Sequence, residues 1–466
     1  MATTGLMVLH VMLAALATMH VLLRKRDVGT SIGWIGLTWL SPFLGAGLYW
    51  LLGINRVANR ARALRRPPGR PPADADEPFP CQLPPGLIAL DRTARRLTGH
   101  AALPGNRITP LRNGDAAYPR MLEAIEAAAH SVLLSSYILR DDAAGRPILD
   151  ALIRAHERGL AVRVLVDGIG GGYFLSPAWR RLRRHGVPAA RFMHTSLPWR
   201  MPFLNLRSHK KLLILDGRLA FTGGLNIGRE NLLASNPPHP VRDIHFAIEG
   251  PVTAQLVEAF ARDWHWAAGD GDPLPPPAAA PLPAAGEVTA RIVTSGPDQD
   301  LEKIETLTLQ AIACAQHSIL VLTPYFLPDS RVITALSLAA LRGVAVDIVV
   351  PQRSDHPFVD WGMHAHVDPI LRAGCHIWYN PPPFDHSKLM VVDGGWSLIG
   401  SSNWDTRSFR LNFELDVEIY DAAMAAALAD VIRQRRGQRL LAAELAQRSL
   451  PVRLRDAAMR LALPYI

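Results

Sequence analysis

Two stretches of the chain carry the same polar residues at the same offsets. His209, Lys211 and Asp216 stand in HKKLLILDG, and His386, Lys388 and Asp393 stand in HSKLMVVDG. Seventeen residues after each histidine comes an asparagine, Asn226 in FTGGLNIG and Asn403 in LIGSSNWD. An acid follows in each copy, Asp243 in VRDIHFAIEG and Glu414 in LNFELDVEIY. A single histidine on a strand is ordinarily a satisfied core residue, but packing does not explain two with matching lysine, aspartate and asparagine partners. Paired histidines can divide one job: a neutral imidazole attacks and a protonated one acts as general acid. The attacking imidazole needs its other ring nitrogen held by a carboxylate, which fixes the tautomer and steadies the developing cation. Two lysines and two amides suit a centre that gathers charge on several oxygens, as a phosphoryl group does in transit. Lysine charge here stands where a metal stands in other sites. No carboxylate cluster with ligand spacing accompanies these segments, so neither a metal nor another cofactor is expected.

These residues need a scaffold that presents both copies to one place. His209 and Lys211 are two apart and would share a face of a strand, with Asp216 at its end. The surroundings repeat as well. AHSVLLSSYIL (129–139) matches QHSILVLTPYFL (316–327), and RAHERGLAVRVLVDG (154–168) matches AALRGVAVDIVVP (339–351). Helices alternating with nearly continuous apolar strands predict an α/β sheet covered on both faces. The chain therefore reads as an internal duplication: two similar α/β halves packed about a pseudo-twofold, which brings both histidine segments to one seam. Proline-rich RRPPGRPPADADEPFP (65–80) and DPLPPPAAAPLPAAG (272–286) lack a hydrophobic period and read as semi-rigid linkers. The expected organisation is an anchor at 1–55, linker and lead-in at 56–100, a first half at 101–271, a linker at 272–286, and a second half at 287–466 ending in basic helices.

Composition bounds the partners. The 466 residues are 49% hydrophobic and 20% charged, enough for a large core and too apolar for global disorder. A formal net charge of +9 suits an anionic partner, nucleic acid or acidic membrane. Cys81, Cys314 and Cys375 have no metal or redox spacing and read as apolar fillers. Residues 5–23 and 31–53 carry no Asp, Glu, Lys or Arg and predict two transmembrane helices, preceding the rest of the chain. No basic residue precedes the first, and a second apolar segment follows at once, which weighs against a cleaved signal peptide. Six arginines between 56 and 70 outweigh Arg24, Lys25 and Arg26, so the positive-inside rule sets the remainder on the cytoplasmic side. The three connector charges oppose this and leave a shallow hairpin open.

The doubled H-x-K-x-x-x-x-D signature, with LRNGDAAYPRMLEAI, DGIG, FTGGLNIG, TPYFLPD and GSSNWDTRSFRLNFE, resembles the phospholipase D superfamily and most closely the bacterial cardiolipin synthases. The resemblance covers essentially the whole chain. It implies two phospholipase D-like halves and a phosphatidyl transfer in which one phosphatidylglycerol forms a phosphohistidine and a second attacks it, releasing glycerol and giving cardiolipin. It implies His209 and His386 as the catalytic pair, with His209 pointed to as the nucleophile. Lys211, Lys388, Asn226 and Asn403 would bind phosphate, Asp243 and Glu414 would orient the histidines, and Asp216 and Asp393 would brace the site. The implied partners are phosphatidylglycerol and anionic lipids at a bacterial inner membrane, with no nucleic acid. FVDWGMHAHVDPILRAG departs from the pattern with His364, His366 and Asp368 where aromatic character is expected. Phosphatidylethanolamine thus stays open as a substrate. A phosphodiesterase of the same fold, lipase or nuclease, is the alternative.

Three further features have plainer readings than the functional ones they suggest. DGIGGGYF (167–174) fits neither phosphate-loop spacing and reads as a strand-to-helix turn. His356, His364 and His366 are more simply helix-face histidines than zinc ligands. SLPWRMPFLNLRSHKK (196–211) mixes aromatic and basic residues as an interfacial loop does, and an ordinary loop is its plainer reading.

Overall fold

A computed structural model describes residues 2–24, 28–41, 43–50, 85–194, 206–269, 274, 282–298 and 300–461. The 65–80 linker, most of 272–286, Cys81 and the aromatic part of the 196–211 loop lie outside these residues. The chain divides into two compact units, Met1–Leu64 and Arg65–Ile466.

In the first unit, the helix Ala2–Arg24 is long and apolar enough to cross a membrane. The second apolar stretch is not one long helix. It forms Val28–Leu40 and then a short helix Leu44–Leu48, interrupted at Ser41, the residue before Pro42. A residue preceding proline is pushed out of helical backbone, which accounts for the break. Trp39 Nε1 donates to Thr18 Oγ1 (2.9 Å) and His20 Nδ1 lies 2.6 Å from Tyr49 Oη, tying the segments together.

In the second unit, fourteen strands carry the duplication. The first half contributes β1 (Leu103–Arg112), β2 (Ser131–Ser136), β3 (Ala161–Asp167), β4 (Ala189–Phe192), β5 (Leu212–Leu215), β6 (Leu219–Gly223) and β7 (Ile244–Glu249). The second half contributes β8 (Val288–Ser295), β9 (Ser318–Leu322), β10 (Ala345–Pro351), β11 (His376–Asn380), β12 (Leu389–Val392), β13 (Trp396–Gly400) and β14 (Asn412–Tyr420). The first half runs in the order β1-β7-β6-β5-β2-β3-β4, the second β8-β14-β13-β12-β9-β10-β11, and β1 pairs with β8 antiparallel. Each strand thus has its counterpart seven places on, about a pseudo-twofold through the β1–β8 seam. The sheet is mixed: β2-β3-β4 and β9-β10-β11 are parallel, and the remainder of each half is antiparallel.

Each half has its own core. Val132, Leu134, Val162 and Val164 pack with Ile148, Leu149 and Leu152 from the helix Gly145–Glu157. Ile319, Val321, Val346 and Ile348 pack with Val332 and Leu336 from the helix Ser330–Leu341. Asp329 starts that helix by accepting from the Arg331 and Val332 backbone N–H groups, an N-cap arrangement. Residues 85–98, within the segment expected to lead in, form a helix whose Leu87, Leu90 and Ala94 join the second core. Arg291, fully buried on β8, reaches Asp91 of that helix and Glu418 of β14. A buried guanidinium needs such paired charge to offset its lost hydration.

The aspartates of the doubled signature belong to turns. Asp216 and Gly217 have φ of 51° and 66°, and Asp393 and Gly394 have 50° and 63°. Arg218 N–H donates to the Leu215 carbonyl (2.9 Å) and Gly395 N–H to that of Val392 (3.2 Å), closing turns with both central residues left-handed, where Asp-Gly is favoured. The Asp216 carboxylate accepts from the N–H groups of Ala129, His130 and Ser131 (2.9, 2.7 and 2.7 Å). Asp393 does the same for Gln316, His317 and Ser318, each at 2.8 Å. Each aspartate therefore clamps its hairpin to the start of the neighbouring antiparallel strand, β2 or β9. Replacing either by alanine strips three N–H groups of a charged acceptor, and a loss of about 2 kcal/mol is expected, read as a lower thermal midpoint. Activity lost at an unchanged midpoint would instead put the aspartate in the chemistry.

Candidate active site

His209–Lys211 precede β5 as an extended segment rather than lying within the strand. Arg207 and Ser208 form a short parallel ladder with Asn412 and Phe413, and His209 N–H donates to the Phe413 carbonyl (2.9 Å). The second copy mirrors this, with Phe384 and Asp385 paired to Val241 and Arg242, and His386 N–H donating to the Arg242 carbonyl (2.7 Å). Each histidine segment is therefore held by a strand of the other half. Alternation along the backbone sends Lys210 away from the site to a buried ion pair with Asp263 (2.7 Å) and leaves Lys211 inside.

The two imidazoles meet edge to face with ring centroids 6.2 Å apart. His209 Nδ1 donates to Glu414 Oε2 (3.0 Å) and lies 2.9 Å from the Ser401 carbonyl. His386 Nδ1 donates to Asp243 Oδ2 (3.0 Å) and lies 3.1 Å from the Gly224 carbonyl. Each Nδ1 faces a backbone carbonyl and a carboxylate oxygen, an arrangement that suits a proton on Nδ1 and leaves Nε2 for chemistry, and Lys388 Nζ also lies 3.0 Å from His386 Nδ1. The acids are exchanged: the first half's histidine is held by the second half's glutamate, and the second half's histidine by the first half's aspartate. Lys211 Nζ donates to the His209 carbonyl (2.6 Å) and Lys388 Nζ to that of His386 (2.5 Å). Lys211 Nζ also lies 5.2 Å from the Tyr137 ring centre. Asn226 and Asn403 line the cavity with both histidines, each with a buried Oδ1 that has no hydrogen-bond partner. The cavity measures about 1000 Å³. All ten residues singled out in the sequence are therefore accounted for: eight converge here, and Asp216 and Asp393 brace the hairpins behind.

Burial lowers the proton affinity of both imidazoles, and the lysine charges lower it further. For His386 the hydrogen bond and negative charge of Asp243 oppose this. Burial alone would raise Asp243, but His386 and Lys388 hold it below the usual carboxylate range. Glu414 goes the other way, pushed up by burial to about 7 despite Lys211. His386 thus faces an ionised carboxylate and is the more readily protonated of the pair, whereas His209 faces a carboxyl that is half neutral at neutral pH.

Several contributors escaped the sequence reading. Tyr137 stacks edge to face on His209 (5.0 Å) and Tyr325 on His386 (6.4 Å). Both lie in the matched stretches 129–139 and 316–327, so the repeat itself carried the signal. Asp167, in the DGIG stretch, accepts from Ile169, Gly170 and Ser208 N–H groups, anchoring the backbone beside His209. Ser401 Oγ donates to Glu414 (2.5 Å), where the first half has Gly224. A Cβ at Gly224 would lie 2.5 Å from Asp243 Oδ1, so the position needs glycine. His364 and His366 bond to Tyr379 and to the Pro328 carbonyl respectively, and among the described residues no group of three potential ligands gathers around a metal. Cys375 is buried and raised to about 12 by burial, in keeping with a filler.

A duplicated mixed sheet with two crosswise-anchored histidines, each beside a lysine and an asparagine, defines a phospholipase D-type fold. The sequence matches the family described as cardiolipin synthase, phospholipase D-like domain, over residues 121–264 and 308–436. Residues 12–53 match the phospholipase D-nuclease N-terminal family. Cardiolipin synthase A of Pseudomonas fluorescens is 35% identical over 425 residues, 89% of this chain and 87% of that one. The major cardiolipin synthase of Bacillus subtilis is 31% identical over 469 residues, 97% of this chain and 96% of that one. In fold, the chain resembles the phosphatidylserine synthase of Haemophilus influenzae, with a TM-score of 0.59 at 16% identity over 77% of this chain and 95% of that one. The chain belongs to the cardiolipin synthase family of phospholipase D-like proteins.

The lysines set a pH dependence. Burial and the charge of Lys388 bring Lys211 down to about 7, and burial brings Lys388 down to about 8. If both carry the charge that neutralises phosphate oxygens, kcat/KM is expected to fall from about pH 7, where Lys211 loses its proton first, far below an ordinary lysine. A bound phosphate holds those protons, so the alkaline limb of kcat should lie higher than that of kcat/KM. Coincident limbs near pH 10 would remove the lysines from this role.

Proposed function

We propose that the protein is a membrane-anchored phosphatidyltransferase that joins two phosphatidylglycerols into cardiolipin and releases glycerol. The observation that carries it is the crosswise pair: two imidazoles 6.2 Å apart, each tied through Nδ1 to an acid of the opposite half. The cardiolipin synthase relatives, matched along most of their length, support the same reaction.

In this reading His209 Nε2 attacks the phosphorus of the donor lipid and the bond to the glycerol headgroup oxygen breaks. His386, protonated, gives its Nε2 proton to that leaving oxygen. Neutral His386 then takes the proton from the terminal hydroxyl of a second phosphatidylglycerol, whose oxygen displaces His209 from phosphorus. Lys211, Lys388, Asn226 and Asn403 bind the phosphoryl oxygens, and Asp243 and Glu414 keep both rings in the working tautomer. The apolar N-terminal helix supports attachment to a membrane. Arg56, Arg60, Arg62, Arg65, Arg66 and Arg70 favour the catalytic halves on the cytoplasmic side of an inner membrane.

Water in place of the second lipid would make the same site a phosphodiesterase. Purified full-length protein is therefore offered phosphatidylglycerol vesicles and, separately, DNA, each with a strong chelator present. Cardiolipin and glycerol in equal amounts, with DNA intact, are expected. Phosphatidic acid without cardiolipin, or DNA cleavage, would overturn the synthase reading.

A further inference from the structure

The chemistry-bearing residues repeat across the pseudo-twofold, but the walls beside them do not. Two residues before each histidine stand Arg207 and Phe384, and four after each asparagine stand Glu230 and Arg407. Two before each acid stand Val241 and Asn412. All six line the cavity. Because the halves exchange their acids, docking sorts these residues onto opposite sides. The ladder beside His209 pairs Arg207 with Asn412, and the ladder beside His386 pairs Phe384 with Val241. Arg407 lies in a short helix, Thr406–Arg410, capped by Asp405 and leading directly into Asn412. One wall carries two arginines, and the other carries Phe384 and Val241 with Glu230, whose charge is met by Arg140 (3.0 Å).

The cationic wall is built for a ligand. Arg207 has a buried Nη1 without a hydrogen-bond partner. Asn412, 4% exposed, donates through Nδ2 to Glu414 Oε1 (3.1 Å), and its buried Oδ1 has no partner. Burial weakens the hold of Arg407 on its proton and the neighbouring charge of Arg207 weakens it further, with the carboxylates of Asp405 and Asp167 opposing both. Two such guanidinium groups on one cavity wall are stabilised by an anion, and their forked donors match a phosphate. The phosphate in transit already has two lysines and two asparagines. Cardiolipin carries a second phosphodiester, one three-carbon glycerol bridge from the first.

We propose that Arg207, Arg407 and Asn412 form a second phosphodiester subsite, which holds the phosphate of the acceptor lipid and thereby selects an acceptor that itself bears phosphate. The arginines bind the phosphate oxygens, and Asn412 Oδ1 accepts from the central hydroxyl of the bridging glycerol. This rests on the phosphatidyl-transfer reading.

The test offers full-length enzyme in detergent micelles a phosphatidylglycerol donor with paired acceptors: phosphatidylglycerol against ethanol, and water-soluble glycerol phosphate against glycerol. The second pair removes any effect of lipid surfaces. In Arg207→Gln and Arg407→Gln, the yield on the phosphate-bearing acceptor relative to its plain partner should fall about tenfold or more, the loss expected for a charged hydrogen bond. Arg207→Lys should recover part of it. Cardiolipin formation with unchanged ratios, or parallel loss on every acceptor, would defeat the subsite alone. Wild-type enzyme that transfers to ethanol and glycerol but never to phosphatidylglycerol would defeat both the subsite and the synthase reading.

Discussion

His209→Asn and His386→Asn should each lower cardiolipin synthesis by about 10⁴-fold or more, and they should fail in different ways. The magnitude follows from removing a member of a unit that works only when complete. The difference follows from the surroundings. His386 contacts a carboxylate held in its ionised form, so it carries a proton more readily and suits the acid. His209 contacts Glu414, a carboxyl raised to about 7, and burial holds the imidazole well below its ordinary range, so it stays neutral and suits attack. Without His209 there is no atom to form the covalent intermediate. Without His386 the intermediate forms slowly from a natural lipid, because glycerol leaves poorly unprotonated, but a donor with an activated leaving group bypasses that need. The experiment incubates each variant with such a donor and seeks a phosphatidyl adduct by mass spectrometry. An adduct on His209 in His386→Asn, and none in His209→Asn, is expected. An adduct on His386 alone would reverse the roles, and undiminished synthesis by both variants would end the mechanism.

The exchanged acids give the second large effect. Asp243→Asn should cost about 10⁴-fold in kcat/KM, because a neutral amide can turn its NH₂ toward Nδ1 and force the proton onto Nε2, the wrong tautomer for both steps. It also removes the ionised group that makes His386 basic. Glu414→Gln should cost about 10²-fold. Glu414 already carries only part of its charge at neutral pH, and its amide replacement keeps the Ser401 hydroxyl and Asn412 as neighbours. The two variants are compared by steady-state kinetics, with thermal melting to confirm that both fold. Equal losses would show that the two acids are equivalent and that the division of labour has another origin.

The sequence by itself determined much of the site. The offsets His-Lys-Asp-Asn are local: they are fixed by strand alternation, by Asp-Gly turns needing positive φ at Asp216 and Asp393, and by the short hairpins that return each chain to its asparagine. Local offsets survive folding, so the repetition singled these residues out as candidates and implied two similar halves about a twofold. The apolar stretch 31–53 was less transparent, since apolar composition sets hydrophobicity while Pro42 limits helix continuity.

What only the tertiary structure decided are the pairings between distant residues. Glu414 could have held His386, its own half's histidine, without changing any offset. It holds His209 because β1 and β8 join the half-sheets at the seam and bring each histidine segment alongside β14 or the residues before β7 of the other half. The same docking gathers Arg207, Asn412 and Arg407 into one wall, though no two of them come from equivalent positions in the repeat. It also gives the helix 85–98 to the second core rather than to the first half that follows it in sequence. These outcomes depend on which apolar faces and buried charges fit best across hundreds of residues, and a single sequence has no local signal for that choice.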